Sequence, residues 1–383
     1  MKHTVSDDVL TLYPIGSISS ANASALENDI FSIIAGKAFK QLVLDLSDVD
    51  YVSSAGLRVM LKLIQKYRNF KVIGVSLEVY DVFEMTGFTQ LMQVEKRLVC
   101  VDVSNAKLIG EGYFSQVYRI DKDTIIKVFR RNTNIEDVRR ELNLAKQAFV
   151  LGIPTAISFD VVKVGERFGV RFEMLDCASL RDVFRDQPNR YDEMIHKYAA
   201  LLKTINTTES TDESLPDAKE EWLKKLEAIR QYLSEEEYDK LLRLADTIQD
   251  CKTFVHGDCH FKNIMVQGEE LLLIDMDTLS KGNPIFELAA IYAPYVAFEE
   301  SEPGNSERFF GLPASFIQPL FRDVLDIYFG KHDDAAFKKI GLVSYVHMVW
   351  WNDMNEKDNL RRHNDCLAQV KSLLNELDDL NIY

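Results

Sequence analysis

Three oxygen-bearing side chains crowd one short stretch of the chain, His256 to Asp277, HGDCHFKNIMVQGEELLLIDMD. Asp258 is followed five residues later by Asn263, and twelve residues after that by Asp275. Transfer of a phosphoryl group from ATP uses such a set. One carboxylate orients the attacking hydroxyl, while an amide and a second carboxylate hold Mg²⁺ against the phosphates. Between them, IMV–QGEE–LLLI reads as a β-hairpin turning at Gln267 to Glu270, which would bring Asn263 and Asp275 to the same end. Mg²⁺ takes carboxylate and amide oxygens together with phosphates and water. Asp258, just upstream, can accept a hydrogen bond from a substrate hydroxyl. A loop of turn-forming Asp and Asn would not explain this spacing. Cys259, inside the loop, reads as a small residue that fits there.

The elements upstream supply what such a loop needs. In KLIGEGYFSQVY, residues 107 to 118, Gly110 and Gly112 lie between two strand-like runs, with Ser115 where a third glycine could stand. Glycines mark many turns, so this signal is weak alone. Its use would be a hairpin whose backbone lies close over phosphates. The next strand, DTIIKVF, carries Lys127, and Glu141 follows fourteen residues on, in a helical run from Ile135 to Phe149. A strand lysine on the phosphates, positioned by a glutamate of the following helix, is the arrangement of kinase-like folds. GVRFEML, Gly169 to Leu175, is a strand whose end, Glu173 to Leu175, would offer backbone groups to adenine.

The first hundred residues alternate strand and helix patterns, which implies a small α/β domain. Strands are expected over Val9–Ile15, Gln41–Leu46, Lys71–Val75 and Leu91–Val101. Helices are expected over Ala21–Ile34, Gly56–Tyr67 and Val79–Thr86. In the second helix Leu57, Met60, Leu61 and Ile64 share one face. Just before it, a turn carries Asp48 and Asp50, and Ser53 and Ser54 precede the helix. Serine is a preferred N-cap, and a phosphate there would meet free N–H groups and the positive end of the helix dipole. No Pro-, Gly- or Ser-rich linker follows this region.

Of 383 residues, 46% are hydrophobic and 27% charged, ordinary for a soluble globular protein, and the length suggests two or three domains. The net charge of −15 argues against nucleic-acid binding and against docking on anionic membranes. It is compatible with a cationic substrate. Neither an N-terminal apolar segment nor an apolar run of membrane-spanning length is present, and the five cysteines are far apart. A cytoplasmic protein with reduced thiols is expected.

HGDCHFKN resembles the catalytic loop H-G-D-x-H-x-x-N of the aminoglycoside phosphotransferase and choline kinase-like superfamily, and IDMD its metal-binding motif. The resemblance covers about residues 104 to 383. It implies Asp258 as catalytic base and Asn263 and Asp275 as Mg²⁺ ligands, with His256 and His260 shaping the loop and Asp277 as a further site carboxylate. Gly110, Gly112, Ser115, Lys127, Glu141, Glu173 and Leu175 would bind ATP. Protein kinases place an arginine before the catalytic Asp, followed by D-F-G and A-P-E. Here Gly257 holds the arginine position, Met276 follows Asp275, and a few residues lead to Gly282, Asn283 and Pro284. No room remains for a long activation loop. GNPIFELA is similar to the superfamily's G-D-P-x-x-D-L-A, with Asn283 and Glu287 at the acidic positions. A small-molecule acceptor is favoured over a protein. The helical part holds the acidic run Glu235–Glu237 and the aromatics Tyr292, Tyr295, Tyr345, Trp350 and Trp351. A cationic acceptor would favour carboxylates and aromatic faces, but charge runs on helices are usually solvated and aromatics usually core, so no pocket residue is assigned.

LDLSDVDYVSSAGLRVML, Leu44 to Leu61, resembles the signature of STAS domains, the fold of bacterial anti-sigma factor antagonists, over roughly residues 4 to 102. The resemblance aligns Ser54 with the family's regulatory phosphorylation site, with Ser53 in place of the usual Asp and Ala55 in place of the usual Ser or Thr. The expected architecture is an α/β STAS-like domain, 1–103, before an α+β two-lobed protein-kinase-like domain. Its N-lobe would span 104–178 and its C-lobe, with a helical substrate subdomain, 179–383. The expected function is ATP- and Mg²⁺-dependent phosphorylation of a small-molecule hydroxyl. Alternatives are a partner-switching signalling protein that binds an anti-sigma-type partner and senses nucleotide or ligand, and a kinase that phosphorylates a protein serine such as Ser54.

Overall fold

The computed structural model describes residues 1–112, 115–210, 212–213 and 215–377. Residues 113 and 114 of the glycine hairpin lie outside the described residues. The chain divides into two compact units, Met1–Val101 with Val162–Gly165, and Asp102–Val161 with Glu166–Tyr383.

The first unit is built on a five-stranded sheet in the order Lys2–Ser6, Val9–Tyr13, Gln41–Asp45, Phe70–Val75, Gln93–Lys96. The first pair is antiparallel and the others parallel. Buried residues of the central strands, among them Leu10, Leu12, Leu42, Leu44 and Val72, pack with Ile30, Met60, Leu63 and Phe83 of the helices. The turn expected at Asp48 and Asp50 is instead a strand, Asp48–Val52, paired in parallel with Ile15–Ile18. This pairing is long-range and leaves no local periodicity to read. The expected strand Leu91–Val101 is broken, because Phe88–Leu91 is a short helix and only Gln93–Lys96 and Val99–Cys100 are extended.

The helix Ser54–Lys66 buries Gly56, Leu57, Val59, Met60 and Leu63, whereas Leu61 is exposed. The buried face is therefore rotated from the one expected. Gly56 accounts for it. A Cβ there would lie 2.6 Å from Ile18 Cγ2, so the helix approaches the Ile15–Ile18 strand through its glycine.

In the second unit the strands Arg167–Glu173, Thr124–Phe129, Ser115–Arg119 and Lys107–Glu111 lie side by side in that order. The helix Ile135–Val150 buries Val138, Glu141, Leu142, Leu144, Ala145 and Ala148. Asn134 caps it through the Asp137 N–H at 2.8 Å, and Glu136 and Asp137 sit in its first turn, where the dipole favours acidic side chains. From Leu180 onward the chain is mainly helical, around one large apolar core that includes Tyr198, Phe261, Tyr295, Phe310, Phe321 and Tyr345. Among the described residues, no helix is long and apolar enough to cross a membrane.

Candidate active site

The hairpin expected downstream of Asp258 is present. Ile264–Gln267 pairs antiparallel with Glu270–Leu273, and Gly268 takes a φ of +59° in the turn. The Ile274 N–H donates to the Asn263 carbonyl at 3.0 Å, which brings Asn263 beside the segment leading to Asp275. Asp275 has a φ of +70°, in the left-handed region that Asp tolerates better than most residues.

Asn263 Nδ2 donates to the Asp258 carbonyl at 3.0 Å and to Asp258 Oδ2 at 2.8 Å. The amide nitrogen is thereby committed to Asp258, and Asn263 Oδ1 is turned to another side. Burial, then the charge of Asp275, push the Asp258 carboxyl up to about 7. Water still reaches 42% of that side chain and moderates the rise.

Lys127 lies on the strand Thr124–Phe129 and Glu141 on the following helix. Lys127 Nζ is 2.7 Å from Glu141 Oε1 and 2.5 Å from Asp275 Oδ1. Burial opposes the ammonium charge, but Asp275, Glu141 and Asp277 together raise its pKa and keep it charged. Burial likewise opposes ionisation of Asp275, yet Lys127 outweighs it and holds that carboxyl below the ordinary range.

Asp258, Asp275 and Asp277 interact electrostatically around this one lysine. Together with Asn263 they form an oxygen-only donor set with an excess of negative charge. That chemistry suits a hard divalent cation, although among the described residues no group of three or more His, Cys, Asp or Glu comes close enough together to hold a metal ion.

The loop around Asp258 is held from behind. Glu287, fully buried on the helix Pro284–Tyr292, accepts the His256 N–H and, at 3.3 Å, the Gly257 N–H. Burial pushes the Glu287 carboxyl up to about 7. Gly257 has a φ of +80°, and a Cβ there would meet the Thr278 carbonyl at 3.2 Å. A glycine is thus required where protein kinases carry arginine. His256 Nδ1 accepts from the Asp258 N–H at 3.2 Å, and Nε2 faces the Ile274 carbonyl at 3.3 Å. Burial lowers both His256 and His260 to about 4, so both rings are neutral near pH 7. His260 Nε2 lies 3.4 Å from Asp258 Oδ1.

Tyr198 donates to the Cys259 carbonyl at 2.5 Å, and the Phe261 N–H donates to Tyr295 at 2.9 Å. Cys259 is fully buried, and burial raises its thiol pKa well above the ordinary value.

Gly110 and Ser115 lie on neighbouring strands, and the Gly112 N–H donates to the Ser115 carbonyl at 2.9 Å. A Cβ on Gly110 or Gly112 would make only ordinary contacts, so the hairpin itself does not demand glycine at either place. The Glu173 and Met174 N–H groups are given to Ile157 and Asp123. Of the Glu173–Leu175 stretch, only the Leu175 N–H has no acceptor among the described residues.

In the first unit, the Ser53 hydroxyl caps its helix by accepting the Gly56 N–H at 3.3 Å, while Ser54 is the first helical residue and is exposed.

The fold takes up the acidic and aromatic side chains of the helical part, with Trp350 and Trp351 half-buried against Lys225 and Phe298 respectively. Glu235–Glu237 form the first turn of a helix with a Ser234–Glu237 capping box. Tyr292, Tyr295 and Tyr345 are buried, packing on Phe321, Phe337 and each other. Two residues beside the loop escaped sequence reasoning, Lys262 and Arg181. Lys262 stands inside the HGDCHFKN motif and could have been noticed; Arg181 is distant in sequence and carried no signal.

The profile of the phosphotransferase enzyme family matches residues 105–313, and that of the STAS domain matches residues 1–99. The chain belongs to the phosphotransferase enzyme family and carries an N-terminal STAS domain. Residues of the STAS region are 39% identical, over 83 positions, to BtrV of Bordetella bronchiseptica, a candidate anti-sigma factor antagonist. That match covers 21% of this chain and 71% of BtrV.

Among solved structures, the chain is similar to aminoglycoside phosphotransferase APH(2'')-Ib bound to ADP. Identity is 16% and the TM-score 0.48, over 70% of this chain and 93% of the other. A choline/ethanolamine kinase family protein from Mesorhizobium loti is similar at 12% identity and a TM-score of 0.47, over 70% and 87%.

Proposed function

We propose that the second unit is an ATP- and Mg²⁺-dependent phosphotransferase whose acceptor is the hydroxyl of a small molecule. The observation that carries this reading is two bonded pairs, Lys127–Asp275 at 2.5 Å and Asn263–Asp258 at 2.8 and 3.0 Å, which the Ile274 N–H on the Asn263 carbonyl brings together. Membership of the phosphotransferase family supports it.

In this reading Lys127, steadied by Glu141, binds the ATP phosphates under the Gly110–Ser115 hairpin. The Glu173 carbonyl and Leu175 N–H take the adenine edge. Asn263 and Asp275 hold Mg²⁺, which when bound neutralises charge on the phosphates. Asp258 orients the acceptor hydroxyl and receives its proton, a task that suits a carboxyl with a pKa near 7. Gly257 and the short path from Asp275 to Pro284 leave no activation loop, which favours a small acceptor over a protein. The protein would act in the cytoplasm.

An ATP-consumption screen of hydroxyl compounds with the full chain tests this. Turnover that needs both Mg²⁺ and an added acceptor supports the reading. ATP binding with no acceptor-dependent turnover would overturn it.

A second reading is favoured by the STAS domain and the exposure of Ser54. There, the first unit binds an anti-sigma-type partner, and the kinase-like unit senses nucleotide or phosphorylates Ser54. Label from ATP that appears on the protein and vanishes in Ser54→Ala would favour it.

A further inference from the structure

We infer that the acceptor carries an anionic group, a carboxylate or a phosphate, beside the hydroxyl to be phosphorylated, and that Lys262 and Arg181 receive it. This rests on the phosphotransferase reading above and names the substrate class of the same site.

Lys262 lies four residues after Asp258 on the same loop, and the two are linked in space. His260 Nε2 is 3.4 Å from Asp258 Oδ1, the His260 ring is 5.6 Å from that of Phe309, and Lys262 Nζ stands 4.1 Å over the Phe309 ring. The Arg181 backbone N–H donates to the Phe261 carbonyl at 3.0 Å, which fixes Arg181 against the same loop.

Both cations reach the end of the short helix Asn305–Phe310. Lys262 Nζ donates to the Phe309 carbonyl at 3.2 Å, and Arg181 Nη1 to the Phe310 carbonyl at 3.4 Å. Each uses one donor there. Arg181 Nε is buried against Asp182, which leaves two of the three donors of Lys262 and three of the five of Arg181.

Lys262 pairs with no carboxylate among the described residues. Arg181 lies 3.0 Å from Asp182, but Asp182 also serves Arg185 at 3.0 Å. Lys262 and Arg181 therefore set two cations beside the loop that carries Asp258, close enough that Lys262 acts electrostatically on both Arg181 and Asp258. A cationic acceptor would meet like charge there, whereas a carboxylate or phosphate would find charge-assisted donors. The tyrosines and glutamates that could have formed a cation pocket are committed to the core and to a helix cap.

The experiment measures kcat and KM of the full chain for matched acceptors: glycerate against glycerol, glucose 6-phosphate against glucose, and choline and kanamycin as cations. An anionic member preferred over its neutral match by tenfold or more in kcat/KM is expected, and the two pairs tell carboxylate from phosphate. Lys262→Gln should raise KM for that acceptor about tenfold with kcat little changed, and Lys262→Arg should restore it. Unchanged melting and ATP affinity in Lys262→Gln would show that the site is intact. Preference for a cationic or neutral acceptor, or an anionic preference that survives Lys262→Gln, would overturn the inference alone. No phosphorylation of any acceptor would remove the phosphotransferase reading and this inference with it.

Discussion

Lys127 Nζ lies 2.5 Å from Asp275 Oδ1 although 148 residues separate the two in sequence. One residue comes from a strand of the sheet and the other from the end of the hairpin after Asp258. Their bond joins the expected phosphate-binding lysine to the expected metal-binding carboxylate. Lys127→Met is expected to weaken ATP binding at least tenfold and, by leaving Glu141 without its buried partner, to destabilise the fold by about 1–3 kcal/mol. Calorimetry with ATP and a urea titration measure the two effects.

Gly257 offers a sharper test of the loop geometry. With φ at +80° and the Thr278 carbonyl 3.2 Å from any added Cβ, Gly257→Ala should cost about 1–3 kcal/mol and displace Asp258. Both the denaturation midpoint and turnover should fall. A variant as stable and active as wild type would contradict the strained turn.

Glu287 supplies a pH signature. Its carboxyl is raised from the ordinary range to about 7 by burial, so the folded protein holds a proton that the unfolded chain releases. The stability linked to that proton is fully present below the ordinary carboxylate range. It is lost as pH rises towards 7, by on the order of 2–3 kcal/mol. Glu287→Gln stays neutral and keeps an acceptor for the His256 and Gly257 N–H groups. The difference between wild-type and variant urea midpoints should therefore shift in favour of the variant between pH 4 and pH 8. Parallel curves would rule out the raised carboxyl.

Ser53 and Ser54, adjacent in sequence, should behave differently. Ser53 caps its helix, so Ser53→Ala should cost about 1 kcal/mol. Exposed Ser54 makes no cap, and Ser54→Ala should stay within about 0.5 kcal/mol of wild type. Thermal melts of the two variants give the comparison.

Local chemistry was legible in the sequence, and long-range chemistry was not. The hairpin Ile264–Leu273 and the arrival of Asn263 beside Ile274 follow from residues that are neighbours in the chain. The α/β character of the first domain and the kinase-like fold of the second were readable from alternating patterns and from the HGDCHFKN and IDMD motifs. The strand Asp48–Val52 was hidden because its partner, Ile15–Ile18, lies far upstream. The face of the helix Ser54–Lys66 was misjudged because Gly56, not a large side chain, sets its closest approach. Arg181 joins the loop through a contact with Phe261 that no spacing announces.

The central claim is that Asp258 receives the proton of an acceptor hydroxyl while Lys127, Asn263 and Asp275 hold the nucleotide and its metal. The most direct measurement is transfer of the labelled γ-phosphate of ATP to the acceptor found in the screen, by wild type and Asp258→Asn, beside ATP affinity by calorimetry with Mg²⁺. The account predicts a loss of about 10²–10⁴-fold in kcat with nucleotide affinity unchanged within a few-fold. Turnover by Asp258→Asn at the wild-type rate would contradict it.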